Sequence, residues 1–98
     1  MYIYVLHLRT DKYYVGITVN PETRFELHRT GKGAKWTRLF KPVDVLLLEE
    51  IEGNCRKKET LLTLRMMKEY GYENVRGGKY CSIDMPFKPS ELVSQEEY

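Results

Sequence analysis

Alternations and runs of apolar residues predict three strands in this chain of 98 residues. Residues 2–8 are rich in aromatic and β-branched side chains, and after a polar turn residues 13–17 repeat that character, which predicts a hairpin. Tyr4 and Tyr14 share a face of this hairpin only if its loop has an odd number of residues. Residues 43–50 have a continuous apolar centre, which is typical of a central strand covered on both faces.

Three segments carry the boundary signals of helices. Asn20 and Asn54 are good N-cap residues, and Pro21 suits the first helical position because its missing N–H costs nothing there. A glycine follows the first and the third segment, where it can adopt the left-handed conformation that ends many helices. The predicted helices cover residues 21–30, 34–39 and 55–70.

The first predicted helix places two polar side chains on the face that should meet the sheet. Arg24 and His28 lie about 40° apart on the helix surface, and Phe25 and Leu27 flank them. A permanent cation and a titratable imidazole are unexpected on a face that only packs. They are candidates for a functional site, and a surface pair is the alternative.

The third predicted helix carries a carboxylate in a similar position. Glu59 falls in the middle of the apolar stripe formed by Leu62, Met66 and Tyr70. Burying a carboxylate without a partner is costly, so Glu59 should have a cation, a metal ion or a strong hydrogen-bond donor. The alternative is that this part of the helix projects past the core into water.

Composition limits the class of protein. A chain of this length supports one domain with a modest core, and 42 % hydrophobic residues are ordinary for a globular protein. No apolar run approaches the length of a membrane span, and the N-terminus lacks the pattern of an export signal. Cys55 and Cys81 form no CxxC pair, which favours reduced thiols over a zinc site or a disulfide. We therefore expect an intracellular protein, cytoplasmic or nuclear, without a membrane partner.

Charge is distributed unevenly along the chain. The net charge is only +2, but residues 24–41 contain six basic residues and one acid, and residues 82–98 contain one basic residue and four acids. A basic segment of this kind can follow a phosphate backbone or form an ordinary solvated surface. Residues 76–79 pair two glycines with two cations, and this loop could cradle a phosphate or simply turn the chain.

An ordered set of residues along the chain resembles the GIY-YIG nuclease superfamily. Tyr2-Ile3-Tyr4 stands at the first signature tripeptide, with tyrosine in place of the usual first glycine, and Tyr14-Val15-Gly16 matches the second. Arg24, His28, Glu59 and Asn74 follow in the family's order, and the resemblance extends from Tyr2 to about Tyr80. The segment around Asn74 is similar to small stand-alone phage or viral members. Ile17 stands where some members have a lysine, whose role is then absent or taken over by Lys35.

The resemblance implies a fold and an activity. The fold would be α/β (α+β), with a small, mainly antiparallel, three-stranded sheet flanked by helices. Residues 1–81 would form the nuclease domain, and residues 82–98 an acidic C-terminal arm or linker. The activity would be metal-dependent hydrolysis of DNA phosphodiester bonds, with Mg²⁺ or Mn²⁺ as the cofactor.

The resemblance also implies roles for individual residues. Glu59 would be the sole carboxylate ligand of the metal ion, and Arg24 would hold the scissile phosphate as a bidentate donor. Tyr4 or Tyr14 would orient or deprotonate the attacking water, with His28 accepting or relaying the proton. Asn74 would brace the metal side of the site.

Further residues are expected to contact the DNA partner. The candidates for nucleic-acid binding are the basic residues Lys32, Lys35, Arg38, Arg76 and Lys79. An additional DNA-targeting domain or a partner protein could supply target choice. The alternative function is a module of the same fold that binds nucleic acid or protein without cleaving it.

Overall fold

The computed structural model describes residues 1–85 and 88–89. The elements in chain order are β1 (Tyr2–Leu8), β2 (Lys12–Thr18), α1 (Pro21–Arg29), α2 (Lys35–Leu39), β3 (Pro42–Glu50), α3 (Cys55–Tyr70) and β4 (Val75–Gly77). The first three strands and the three helices confirm the elements predicted from the sequence. Most of the predicted acidic arm, residues 82–98, lies outside the described residues. Within the described part of the chain, no helix has the length and apolar character needed to cross a bilayer.

The sheet has four strands rather than the three expected. Their order is β3-β1-β2-β4; β1 is antiparallel to both neighbours, and β4 is parallel to β2. The prediction missed β4 because three residues are too few to show alternation and because the glycines that follow indicate a turn. Gly77 is needed within the sheet itself, since a Cβ there would overlap the backbone oxygen of Val15 on β2.

Helices cover the two faces of the sheet. One buried cluster joins α3 to the side chains of β1, β2 and β4 on one face, and it comprises Ile3, Val5, Val15, Leu64, Met66, Met67 and Val75. The second cluster lies on the α1 and α2 face and comprises Tyr4, Leu6, Leu8, Tyr14 and Trp36. Alternate residues of β1 thus point into different cores, as the period of a strand requires.

The expectation that β3 is a central strand is wrong. It lies at the edge of the sheet, and four of its apolar side chains (Val43, Val45, Leu46 and Leu48) are exposed. An apolar run shows that side chains are hydrophobic but not which neighbours cover them. Here α3 packs on β2 and β4, so the β3 edge of the sheet receives less cover.

Arg76 is a structural residue rather than the phosphate contact expected from the sequence. It is 2 % exposed, and its guanidinium lies 4.3 Å from the centre of the Trp36 ring. Its nitrogens donate to the carbonyl oxygens of Tyr72, Val75, Ser82 and Ile83. This side chain therefore fastens residues 82–83 to β4, and these hydrogen bonds use four of its five N–H donors.

Replacement of Arg76 by lysine should destabilise the fold. Lysine has three donors on one atom, so it cannot reach carbonyls on several sides or stack on Trp36 as a planar guanidinium does. We expect Arg76→Lys to lower the free energy of unfolding by about 2–4 kcal/mol, measured by urea denaturation. Arg38→Lys is the matched control because Arg38 is exposed. Equal stability of the two variants would contradict the structural role of Arg76.

Candidate active site

The hairpin places the two signature tyrosines side by side. Its register pairs Tyr4 with Gly16 and Leu6 with Tyr14, around a three-residue loop (Arg9–Asp11). Tyr4 and Tyr14 therefore share the α1 face, with ring centroids 6.3 Å apart. Both are buried, at 0 % and 9 % exposure, and Tyr14 lines an open cleft of about 720 Å³.

Gly16 makes room for Tyr4. Because the two residues are directly opposite on neighbouring strands, the Tyr4 ring lies over the Gly16 backbone. A Cβ at residue 16 would lie 2.5 Å from Cζ of Tyr4 and would overlap its hydroxyl. Steric contact with Tyr4 thus explains why the second signature tripeptide has a glycine at this position.

Helix α1 brings His28 against Tyr4. The side chain of Asn20 caps the helix by accepting from the Thr23 N–H at 3.2 Å, and Pro21 is its first residue, as predicted. His28 is 1 % exposed, and its Nε2 lies 2.7 Å from the Tyr4 hydroxyl. Its Nδ1 lies 2.8 Å from Oγ1 of Thr37. Both ring nitrogens are thereby occupied inside the core.

Burial has opposite electrostatic effects on the two partners. Burial, together with the nearby charge of Arg24, lowers the pKa of His28 to about 4. Burial raises the pKa of Tyr4 and of Tyr14, and Arg24, which lies beside both hydroxyls, opposes that rise. At neutral pH the site therefore holds an uncharged imidazole, two phenols and one fixed cation.

Glu59 approaches the same site from the other side of β2. Burial raises the pKa of its carboxyl, and the backbone N–H of Ile17 together with Arg56 and Arg24 opposes this rise. Its charge also acts on Tyr4 and Tyr14. The buried side chains of α3 are Thr63, Leu64, Met66 and Met67, so Glu59 lies beside the packed part of this helix and is half-buried. The donor expected for this carboxylate is the Ile17 N–H.

The structure therefore brings five of the six predicted catalytic residues together: Tyr4, Tyr14, Arg24, His28 and Glu59. Asn74 lies elsewhere. Its side chain accepts from Lys12 at 2.7 Å and donates to the carbonyl of Tyr70. These contacts place Asn74 at the first end of β2, whereas Ile17 lies near the last end of that strand. Asn74 thus ties the start of β4 to β2.

The remaining basic candidates lie at the surface. Lys35 lines the cleft beside Tyr14, and Lys32 and Arg38 are exposed. Lys79 is exposed and lies 5.4 Å from the centre of the Tyr80 ring. Only Lys35 in this group borders the tyrosine site directly.

Two residues near the site were not identified from the sequence. Thr37 is fully buried against His28, and Cys81 lines the cleft, where the charge of Glu59 acts on its thiol. For Thr37 the available signal was a polar residue directly after the buried Trp36 in a short helix. Cys81 gave no signal, because its position depends on how residues 81–83 fold back beside β4.

Comparison with known proteins agrees with this geometry. The sequence profile of the GIY-YIG catalytic domain matches residues 1–77. The chain belongs to the GIY-YIG family. This family is part of a superfamily of nucleases, which are hydrolases.

Similar curated proteins come from bacteria. A UPF0213 protein of Streptococcus pneumoniae is 36 % identical over 67 residues, which cover 68 % of this chain and 65 % of the relative. A UPF0213 protein of Oceanobacillus iheyensis is 45 % identical over 49 residues (50 % and 57 %), and one of Neisseria meningitidis is 49 % identical over 41 residues (42 % and 45 %). The chain thus spans about half to two thirds of these relatives' length. No solved structure matches it.

GIY-YIG nucleases generally use a divalent metal ion. Among the described residues, no group of three or more histidine, cysteine, aspartate or glutamate side chains could hold one. The donor available at the site is the Glu59 carboxylate. A single carboxylate fits a hard cation that keeps most of its waters and completes its coordination with substrate phosphate oxygens.

Substitution of Gly16 should disturb the tyrosine site. Alanine at residue 16 forces the buried Tyr4 ring to move, and overpacking of this kind costs about 1–3 kcal/mol. We expect Gly16→Ala to lower the free energy of unfolding by that amount in urea denaturation. An unchanged stability would contradict the close packing of Tyr4 on Gly16.

The buried His28 should make the fold sensitive to acid. Its pKa is about 4 in the native state and 6.5 ordinarily, so between these pH values the unfolded chain binds a proton that the native state does not. Stability from this group is complete above pH 6.5 and is lost as the pH falls towards 4. We expect a loss of about 2 kcal/mol between pH 7 and pH 5 from His28 alone.

Urea denaturation of His28→Gln checks this dependence, because glutamine does not titrate. The variant is expected to be less stable at pH 7 but to lose less stability on acidification. An equally steep acid loss in the variant would show that another group is responsible.

Proposed function

We propose that this protein is a metal-dependent endonuclease that hydrolyses DNA phosphodiester bonds. The observation that carries the proposal is the 2.7 Å hydrogen bond between the Tyr4 hydroxyl and His28 Nε2, beside Arg24 and within the field of Glu59. A phenol, an uncharged base, a guanidinium and a carboxylate are the groups that activation of water, phosphate binding and metal binding require.

Tyr4 is the proposed general base. Tyr4 can take a proton from water when its own proton passes to His28 in the same step, and His28 is an uncharged acceptor in direct contact with the Tyr4 hydroxyl. The Tyr14 ring packs against His28, with ring centroids 5.2 Å apart, but its hydroxyl is paired with Arg24. Tyr14 also lines the cleft and is placed to orient the water or the phosphate. The geometry thus favours Tyr4 as the base, a choice that the sequence left open.

Arg24 links phosphate binding to activation of Tyr4. In the free protein its guanidinium lies beside both tyrosine hydroxyls, and Tyr4 is closed to solvent. Planar guanidinium binds phosphate through two parallel hydrogen bonds. A phosphate bound to Arg24 would therefore lie beside the Tyr4 hydroxyl, whose ionisation the same guanidinium favours.

Glu59 is the proposed ligand of Mg²⁺, or Mn²⁺ in its place. When bound, the ion neutralises charge on the phosphate and stabilises the leaving oxygen. The Ile17 N–H fixes the carboxylate, and Lys35 at the cleft adds positive charge along the DNA path.

Cleavage assays on supercoiled, nicked and branched DNA with Mg²⁺ or Mn²⁺ test the proposal. We expect Glu59→Gln, Arg24→Lys and Tyr4→Phe each to reduce kcat by about 100-fold or more, as loss of a group that acts in the transition state does. Glu69→Gln on α3 and Arg29→Lys on α1 are matched controls, since both residues are exposed on the same helices.

Three outcomes would count against the mechanism. Full activity of Glu59→Gln would exclude this residue as the metal ligand. A larger loss in Tyr14→Phe than in Tyr4→Phe would make Tyr14 the base. Tight binding of DNA without cleavage of any substrate would favour the alternative of a non-cleaving binding module.

A further inference from the structure

We propose that Thr37 is a positioning residue that holds His28 in one tautomer, with the proton on Nδ1 and a free lone pair on Nε2. For its catalytic consequence this inference rests on the proposed nuclease function. Thr37 touches neither the cleft nor the metal side of the site, so it would act only through His28.

Donors and acceptors around His28 are connected in a chain. Oγ1 of Thr37 lies 2.9 Å from the carbonyl oxygen of Ala34 and 2.8 Å from Nδ1 of His28. The carbonyl has no proton, so the threonine hydroxyl must be the donor in the first contact. Its oxygen is then the acceptor in the second, and Nδ1 must carry the imidazole proton.

The other side of the imidazole follows from this assignment. A neutral ring has one proton, and with that proton on Nδ1 the Nε2 atom is an acceptor. The Tyr4 hydroxyl therefore donates to Nε2 across 2.7 Å. All three short contacts are then hydrogen bonds, running from Tyr4 through His28 and Thr37 to Ala34.

The opposite tautomer satisfies fewer groups. If Nε2 carried the proton, Tyr4 would accept from it, and the Tyr4 proton would face Arg24, which has no acceptor. The Thr37 hydroxyl would turn to Nδ1 and leave two oxygens, its own and that of Ala34, in contact without a proton between them. The Ala34 oxygen accepts from the Arg38 N–H in either case, so it does not decide between the states.

The chain around Thr37 is built to hold this arrangement. His28 and Thr37 are 1 % and 0 % exposed, so water does not compete for their hydrogen bonds. Gly33 lies directly against the imidazole, and a Cβ there would overlap Nδ1. Residues 33–37 therefore wrap closely around the side of the ring that faces away from Tyr4.

The tautomer of His28 decides whether the imidazole can accept a proton from Tyr4. Only the tautomer with a free Nε2 can accept the proton that Tyr4 must lose. Removal of the Thr37 hydroxyl leaves the Nδ1 proton without an acceptor and favours the tautomer that cannot take it. The loss should fall on kcat, since Thr37 contacts no part of the cleft that binds DNA.

The test compares Thr37→Val, which keeps the shape and removes the hydroxyl, with Thr37→Ser, which keeps the hydroxyl. The first readout is ¹⁵N–¹H NMR of the histidine rings in the full chain, which reports which nitrogen is protonated. The chain has two histidines, so His7→Gln assigns the signals. Thr63→Val is the matched control, because it removes a fully buried threonine hydroxyl from α3 on the other face of the sheet.

The expected result is an Nδ1-protonated His28 in the wild type, in Thr37→Ser and in Thr63→Val, and an Nε2-protonated or mixed state in Thr37→Val. The second readout is cleavage. Thr37→Val should reduce kcat by about tenfold or more with KM within about twofold, and Thr37→Ser should restore kcat to within about threefold.

Two results would overturn the inference. An Nε2-protonated His28 in the wild type would by itself overturn the inference, even if Thr37→Val does not fold. An unchanged tautomer in a folded Thr37→Val would show that the hydroxyl does not set it. If the wild-type protein cleaves no DNA, the proposed function fails, and the NMR comparison still decides the role of Thr37.

Discussion

The hydrogen bond between Tyr4 and His28 joins the hairpin to α1, and the arrangement of the site depends on it. Neither group could be buried alone without an energetic cost, since an unpaired polar atom in the core loses its hydration without compensation. Each partner also has a glycine against it, Gly16 under the tyrosine ring and Gly33 beside the imidazole. The close packing of the two rings and the hydrogen bond between them thus fix the same geometry.

Burial gives these residues their chemical character as well as their position. The same removal from water that keeps His28 uncharged at neutral pH makes the Tyr4 phenol harder to ionise. Arg24 offsets part of that effect because its charge lies beside both tyrosines. The resting site therefore consists of two protonated phenols next to the uncharged imidazole of His28. In the proposed mechanism, ionisation of Tyr4 would need positive charge beside its hydroxyl, because burial and the charge of Glu59 both disfavour the tyrosinate.

The rest of the fold supports this site from behind. Helix α3 packs on β2 and β4 and carries Glu59 to the strand end near Ile17. On β4, Arg76 and the preceding residue Asn74 connect the strand to its surroundings through hydrogen bonds. These two polar residues look functional in the sequence because they stand among glycines and family motifs. In the structure their side chains hold the short fourth strand and the following segment in place.

The sequence by itself determined the local elements and indicated most of the candidate site residues. Asn20, Pro21 and the glycines after α1 and α3 set helix boundaries through short-range hydrogen bonding and backbone conformation, which need no tertiary context. The unusual positions of Arg24, His28 and Glu59 on helix faces also identified the candidates. Tertiary structure alone decided that β3 is an edge, that β4 exists, that Arg76 is buried, and that Thr37 contacts His28. Each of these depends on which distant segments meet in space, and the local pattern of side chains does not contain that information.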